Sequence, residues 1–241
     1  MWKPLGHLRK FERRELTWLL MGFSACVLLL VFIALAGEVA EGDTQAFDVK
    51  VVQALRNPID PADPVGPYWL QRAVEDITVL GGPTVLGLVL AAVVGFLWLQ
   101  ARYQTALFVT ITVASGELVS WILKHTFNRP RPSVVPNLHI MSPSFPSGHA
   151  MESAVLYLTL GAVLMRVADR RITKVYIWLL AVFLTTSVGI SRVYLGVHYP
   201  TDVVAGWIVG FIWASLCWVI TQQFEAPAIE AERQNVAENS Q

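Results

Sequence analysis

The chain has 241 residues, 54% of them hydrophobic and only 15% charged, with a mean hydropathy of +0.51. A soluble domain carries about a quarter charged residues, so this composition excludes an ordinary soluble fold and points to a membrane protein. Net charge is zero, which excludes the basic surplus typical of nucleic-acid binders.

The N-terminus, "MWKPLGHLRKFERRE", is basic and precedes an apolar run over 16–36. The run is longer than a signal-peptide core and "ALAGEVA" is a weak cleavage pattern, so a retained first helix is predicted. In the long connection over 37–82, Phe47, Val51 and Leu55 recur at helical spacing. They predict a short amphipathic helix on the membrane surface. "PYWL" puts Tyr68 and Trp69 where an interfacial anchor sits.

Five more runs reach the roughly 20 apolar residues a bilayer core asks for. They cover 83–99, 105–123, 150–167, 175–193 and 203–220. Run length excludes an outer-membrane barrel, whose strands are short and alternating. The predicted fold is therefore all-α, a polytopic membrane protein with six transmembrane helices in one domain, 1–241. Cys26 and Cys217 lie inside apolar runs and are expected to pack as small hydrophobes. The tail over 225–241 is polar, lacks aromatics and is predicted to be disordered.

Lys and Arg are richer on the side that holds both termini. The positive-inside rule then makes residues 1–15 and the tail cytoplasmic and turns the other ends outward. Three polar stretches fall on that outer side: "KHTFNRPRP" from Lys124, "PSFPSGHA" from Pro143 and "SRVYLGVHYPTD" from Ser191. One interfacial arginine commonly just snorkels to the headgroups, and one histidine commonly just packs. Three such stretches on one face call for chemistry.

Lys124, Arg131 and Arg192 are cations, and "PSGH" stands just before a helix N-terminus, where N–H groups lack partners and the dipole is positive. Gly148 permits close backbone approach. Together they suit a tetrahedral oxyanion such as phosphate. Asp202 follows His198 by four residues and is placed to fix its tautomer, and His149 is a second proton-transfer group. Phosphoryl transfer through a phosphohistidine needs a nucleophile, an orienting group, an acid and charges on the equatorial oxygens.

These stretches resemble the three signature motifs of the type 2 phosphatidic acid phosphatase superfamily, KxxxxxxRP, PSGH and SRxxxxxHxxxD. Every defining position is matched, from Lys124 to Asp202. The resemblance to its integral-membrane branch implies a helical core and phosphate hydrolysis without a metal or other cofactor. It implies that His198 is the nucleophile, that Asp202 orients it, and that His149 is the acid for the leaving group and then the base for water. Lys124, Arg131 and Arg192 would hold the phosphoryl oxygens, with Ser147 and Gly148 completing the cradle. Arg129 is outside the motif and is expected to be a rim charge; His125 and His139 are expected bystanders. Glu117 and Glu152 lie near the site, and one of them is expected to support a site cation, because carboxylates inside a membrane are usually paired.

The implied function is a membrane lipid phosphatase acting on a terminal phosphate in the outer leaflet. Candidate substrates are phosphatidylglycerophosphate, undecaprenyl diphosphate, phosphatidate and diacylglycerol diphosphate. A bacterial inner-membrane location follows, with no nucleic acid and no obligatory protein partner. Two alternatives remain at this stage. One is a lipid phosphotransferase with the same intermediate. The other is a phospholipid-binding or transport module, which predicts charges spread through the bilayer midplane.

Overall fold

The computed structural model describes residues 5–134 and 142–238. Eight helices follow in order: α1 (Leu5–Glu41), α2 (Gln45–Ala54), α3 (Tyr68–Val79), α4 (Pro83–Leu99), α5 (Tyr103–Phe127), α6 (Gly148–Val167), α7 (Arg171–Tyr194) and α8 (Pro200–Glu238). Among the described residues the only extended pairing is an isolated bridge between Arg56 and Pro64.

Five stretches are long and apolar enough to cross a membrane: Leu19–Glu41, Tyr103–Phe127, Gly148–Val167, Arg171–Tyr194 and Pro200–Ile220. A sixth candidate is a bent pair, α3 and α4, which meet at 49°. Helix α3 is absent from the sequence prediction, because Gln71, Arg72, Glu75 and Asp76 interrupt its apolar residues. It nevertheless packs along α7. Its last carbonyls pass into the Leu80–Gly81–Gly82 turn, and Pro83 opens α4 at a position where a missing N–H costs nothing.

Helix α2 lies where the connection was predicted to be helical. It turns Asp48 and Val52 inward and leaves Phe47 exposed. The tail differs from expectation: α8 continues to Glu238, so the backbone is helical across 225–238. Low hydropathy argues against burial, not against helicity, and Ala, Glu, Gln and Arg there are good helix formers. The last residues of that tail, 239–241, lie outside the described residues, as does His139.

Helix α6 is the axis of the bundle. Half of its spanning stretch is buried, against 11% for α1. It packs against α8, α7 and α5. Lipid supplies little hydrophobic drive between helices, so close packing of small residues takes over. Gly206 and Gly210 lie one turn apart on α8. A Cβ at Gly206 would stand 2.7 Å from the Ser147 carbonyl oxygen, and one at Gly210 2.7 Å from that of Met151. The start of α8 is thereby pressed onto the start of α6. Phe145 is fully buried just before α6, stacked on Phe32 of α1 and edge-on to Phe127 of α5. These contacts hold the loop that carries "PSGH".

Candidate active site

The N-terminus of α8 brings His198 and Asp202 together. Tyr199 precedes the helix and Pro200 is its first residue. Asp202 is then the third helical position, from which a side chain can reach back over the helix end, as in a capping box. It does so: the Tyr199 N–H donates to Asp202 Oδ2 at 2.9 Å. The same oxygen lies 3.5 Å from His198 Nδ1. The His-x-x-x-Asp spacing is therefore a helix-start geometry. The separation is long for a hydrogen bond, and catalytic hydrogen bonds often tighten only with substrate bound. The other ring nitrogen, Nε2, is 2.9 Å from Arg131 Nη1. An N–H pointed at Nε2 requires a lone pair there, so the proton belongs on Nδ1, facing the carboxylate. His198 is buried, and burial together with the cations Arg131, Arg192 and Lys124 pushes its pKa well below 6.5. A neutral imidazole with its lone pair on Nε2 is the form able to attack, once the Arg131 N–H shifts from that lone pair to an incoming anion.

The turn feeding this helix is shaped by its own residues. The His198 N–H and the Val197 N–H both lie on the Arg192 carbonyl, at 3.3 and 3.2 Å. Gly196 has φ +71, a conformation costly for other residues, and a Cβ there would meet Val134 Cγ2 at 3.0 Å.

The N-terminus of α6 differs. Ser147 precedes the helix but makes no side-chain cap, and its Oγ is buried without a partner. Its backbone N–H is taken by the Asp202 carbonyl at 2.9 Å, so the hydroxyl and the first N–H groups of the helix, not the Ser147 N–H, are what this helix start offers an anion. Gly148 is required by Lys124: a Cβ there would stand 3.1 Å from Lys124 Cε and 2.9 Å from Glu152 Oε1. Lys124 ends on the Pro143 carbonyl at 3.2 Å. Arg131 reaches its place because Asn128 closes α5 in the left-handed conformation, φ +45, and turns the chain back. Its guanidinium binds the carbonyls of Ser142 and Val197, both at 2.9 Å. Buried Arg192 donates to Thr78 Oγ1 of α3 at 3.0 Å. His149 lies close enough to His198, Arg192, Lys124 and Arg131 to interact with each of their charges. All three polar stretches meet at one end of the bundle.

The family model described as PAP2 superfamily matches residues 105–226, the stretch that holds all three polar segments. The chain belongs to the PAP2 superfamily. It is 29% identical over 189 residues to phosphatidylglycerophosphatase B of Bacillus subtilis, covering 77% of this chain and 88% of that protein. It is 32% identical over 102 residues to an undecaprenyl-diphosphatase of Sulfolobus acidocaldarius, covering 42% and 45%. The crystal structure of a transmembrane PAP2 type phosphatidylglycerolphosphate phosphatase from Bacillus subtilis superposes with a TM-score of 0.76 at 27% identity, over 83% of this chain and 97% of that one.

Around this PAP2 centre, two expectations change. Arg129 is no rim charge. It is 8% exposed and bridges two carboxylates at 2.7 Å each, Asp202 Oδ1 and Asp48 Oδ2. Burial alone would lower its pKa, but Asp202 and Asp48 outweigh that and raise it. Asp48 is fully buried and was missed by sequence reasoning; its only signal was a charge at the spacing of Val52 on a short helix. Thr78 was missed with α3. Glu152 accepts from Ser120 Oγ at 3.3 Å, contacts the Glu117 carboxyl and lies close enough to Lys124 to attract it. Glu117 itself is on the exposed side of α5. His125 is exposed and bonds the Trp121 carbonyl at 2.7 Å, away from the cluster.

Proposed function

We propose that this PAP2 protein removes a terminal phosphate from a lipid phosphate or diphosphate through a phosphohistidine on His198. At the coarser level it is a multi-pass membrane protein and a lipid phosphatase, by its family and by relatives that are lipid phosphatases. The observation that carries the finer reading is His198 itself, with Nδ1 toward Asp202 and the Nε2 lone pair held by a phosphate-binding candidate, Arg131.

In the first step the Nε2 lone pair attacks phosphorus and a P–N bond forms. The P–O bond to the lipid breaks, and His149 gives its proton to the departing oxygen. In the second step neutral His149 takes a proton from water, the water oxygen attacks phosphorus, the P–N bond breaks and inorganic phosphate leaves. His198 is restored. Lys124, Arg131 and Arg192 neutralise the equatorial oxygens, with Ser147 Oγ and the first N–H groups of α6 beside them. The cations sit at one end of the bundle instead of along its length, which favours an enzyme over a transport pathway.

Phosphatidylglycerophosphate and undecaprenyl diphosphate are the substrates we favour, since relatives with both activities resemble this chain. We place the site at the outer face of a bacterial inner membrane, with both termini inside, on the Lys and Arg bias. The test is phosphate release by purified protein across a panel of lipid phosphates and diphosphates, with vanadate and EDTA arms. Release inhibited by vanadate and insensitive to EDTA is expected, and so is a 32P label on His198 after rapid quenching. Release abolished by EDTA sinks the mechanism. Label passed to an added lipid alcohol instead of water makes the protein a transferase.

A further inference from the structure

Arg129 and Asp48 lie outside the motifs, yet they form a buried ion pair that also takes in Asp202. Arg129 Nη1 donates to Asp202 Oδ1 at 2.7 Å and to Thr201 Oγ1 at 2.9 Å. Its Nη2 donates to Asp48 Oδ2 at 2.7 Å. The guanidinium lies over the Tyr199 ring, 4.4 Å from its centre. Asp48 in turn accepts the Thr201 hydroxyl at 2.5 Å and the Thr201 N–H at 3.2 Å. A carboxylate from α2 thus caps α8 from outside the helix, beside the internal cap made by Asp202. Both Asp202 oxygens are engaged: Oδ1 by Arg129 and Oδ2 by the Tyr199 N–H, with His198 Nδ1 3.5 Å from Oδ2.

We propose that Arg129 is a positioning residue for the nucleophile: anchored by Asp48, it locks the Asp202 carboxylate so that Oδ2 faces His198 Nδ1, and it offsets the charge of Asp202. A carboxylate paired with a guanidinium holds the imidazole in its tautomer without stabilising the imidazolium as a free carboxylate does. His198 then stays neutral and able to attack. The charged and titratable groups facing His198 are Asp202 of α8, Arg131 of the α5–α6 loop, Lys124 of α5, Arg192 of α7 and His149 of α6. Of the charged groups Asp202 is the one whose charge favours its protonation, beside the neutral Ser144 backbone, and Arg129 acts on that carboxylate. The role in turnover rests on the proposed phosphohistidine mechanism.

The test reads His198 directly, by NMR titration of the histidine-labelled full chain in detergent, with His198→Asn assigning the signal. Arg129→Gln is expected to raise the His198 midpoint by about one pH unit, a tenfold rise in proton affinity. It is also expected to lower kcat at pH 7 about thirtyfold with KM within about threefold, effects of the size seen for a lost oriented charge. Arg129→Lys should bring the midpoint back to within about half a unit and recover part of kcat, because it keeps the charge and loses the fork. An unchanged midpoint in Arg129→Gln overturns the proposal. So does a lysine variant no better than the glutamine variant, or a loss confined to thermal stability. If Arg129→Gln does not fold, Asp48→Asn carries the test: kcat falls and the midpoint moves down as Arg129 turns wholly to Asp202. An unchanged kcat and midpoint there overturn it equally. The titration needs no substrate, so failure of the phosphatase reading appears separately, as absent phosphate release in the unsubstituted protein.

Discussion

The N-termini of α6 and α8 lie against each other, and their ends are treated in opposite ways. The start of α8 is capped twice, by Asp202 from within and by Asp48 from α2. The start of α6 is not capped by Ser147, whose hydroxyl is buried and unpartnered. Around it, the hydrogen bonds of Lys124 and Arg192 and the backbone bonds of Arg131 go to neutral oxygens. A helix start attracts negative charge. At α8 that attraction is already satisfied by the protein, and the result is a rigid mount for His198. At α6 the Ser147 side chain leaves it unmet, which suits the phosphate site we propose. In the proposed mechanism one end positions and the other binds, and substitutions at the two ends should separate those roles.

The largest effect is expected at the mount. His198→Ala removes the proposed nucleophile, and phosphate release should fall about ten-thousand-fold or more, with the protein still folded in membranes. Next comes a deliberate equalisation of the two ends. Ser147→Asp caps α6 with a carboxylate in the phosphate slot, and kcat/KM should fall about a thousandfold with vanadate inhibition lost; Ser147→Ala should cost about tenfold or less. If the aspartate variant still binds vanadate, the uncapped end is not the anion site. Asp202→Asn leaves the shape of the α8 start but not its charge. A loss of about a hundredfold in kcat is expected, with vanadate affinity changed by threefold or less, because the binding end is untouched.

The pH profile sharpens the same contrast. The pKa of His198 is depressed by burial and by its cation neighbours, so the folded protein binds a proton there only well below pH 6.5. The acid limb of kcat/KM assigned to the nucleophile should therefore lie below pH 6.5. Stability linked to this group is complete above pH 6.5 and is lost as pH falls toward the folded-state pKa, since the unfolded chain protonates first. An acid limb above pH 6.5 that disappears in Arg131→Ala would contradict this. Smaller effects belong to supports farther from the reacting atoms. Glu152→Gln should lower kcat/KM about threefold to tenfold through Lys124, and Glu117→Gln less. His125→Ala should stay within about twofold in the same release assay, as expected of an exposed side chain away from the cluster.

Much of the centre was legible because its chemistry is written in short spacings. Four residues from His198 to Asp202 define a helix start. Seven residues from Lys124 to Arg131 carry the chain off the end of α5 and back. The serine and glycine of "PSGH" stand at the start of α6 as their spacing suggested, although the Ser147 N–H is occupied by the Asp202 carbonyl. Arg129 and Asp48 were not legible in that way. They are 81 residues apart, and nothing local in either segment names the other. Helix α3 was hidden by its own polar residues, so the Thr78 contact to Arg192 was hidden with it.

The amino-acid sequence by itself determined the solvent this protein lives in, the helices that cross it and the reactive groups at one face, because run length, charge bias and motif spacing are local properties. Only the tertiary structure decided which of two adjacent helix starts is closed by the protein and which is open to a ligand. That choice depends on a carboxylate delivered by α2 to α8 and on glycines that let α8 press against α6. Such contacts join distant segments, and their energies exist only once the helices have packed.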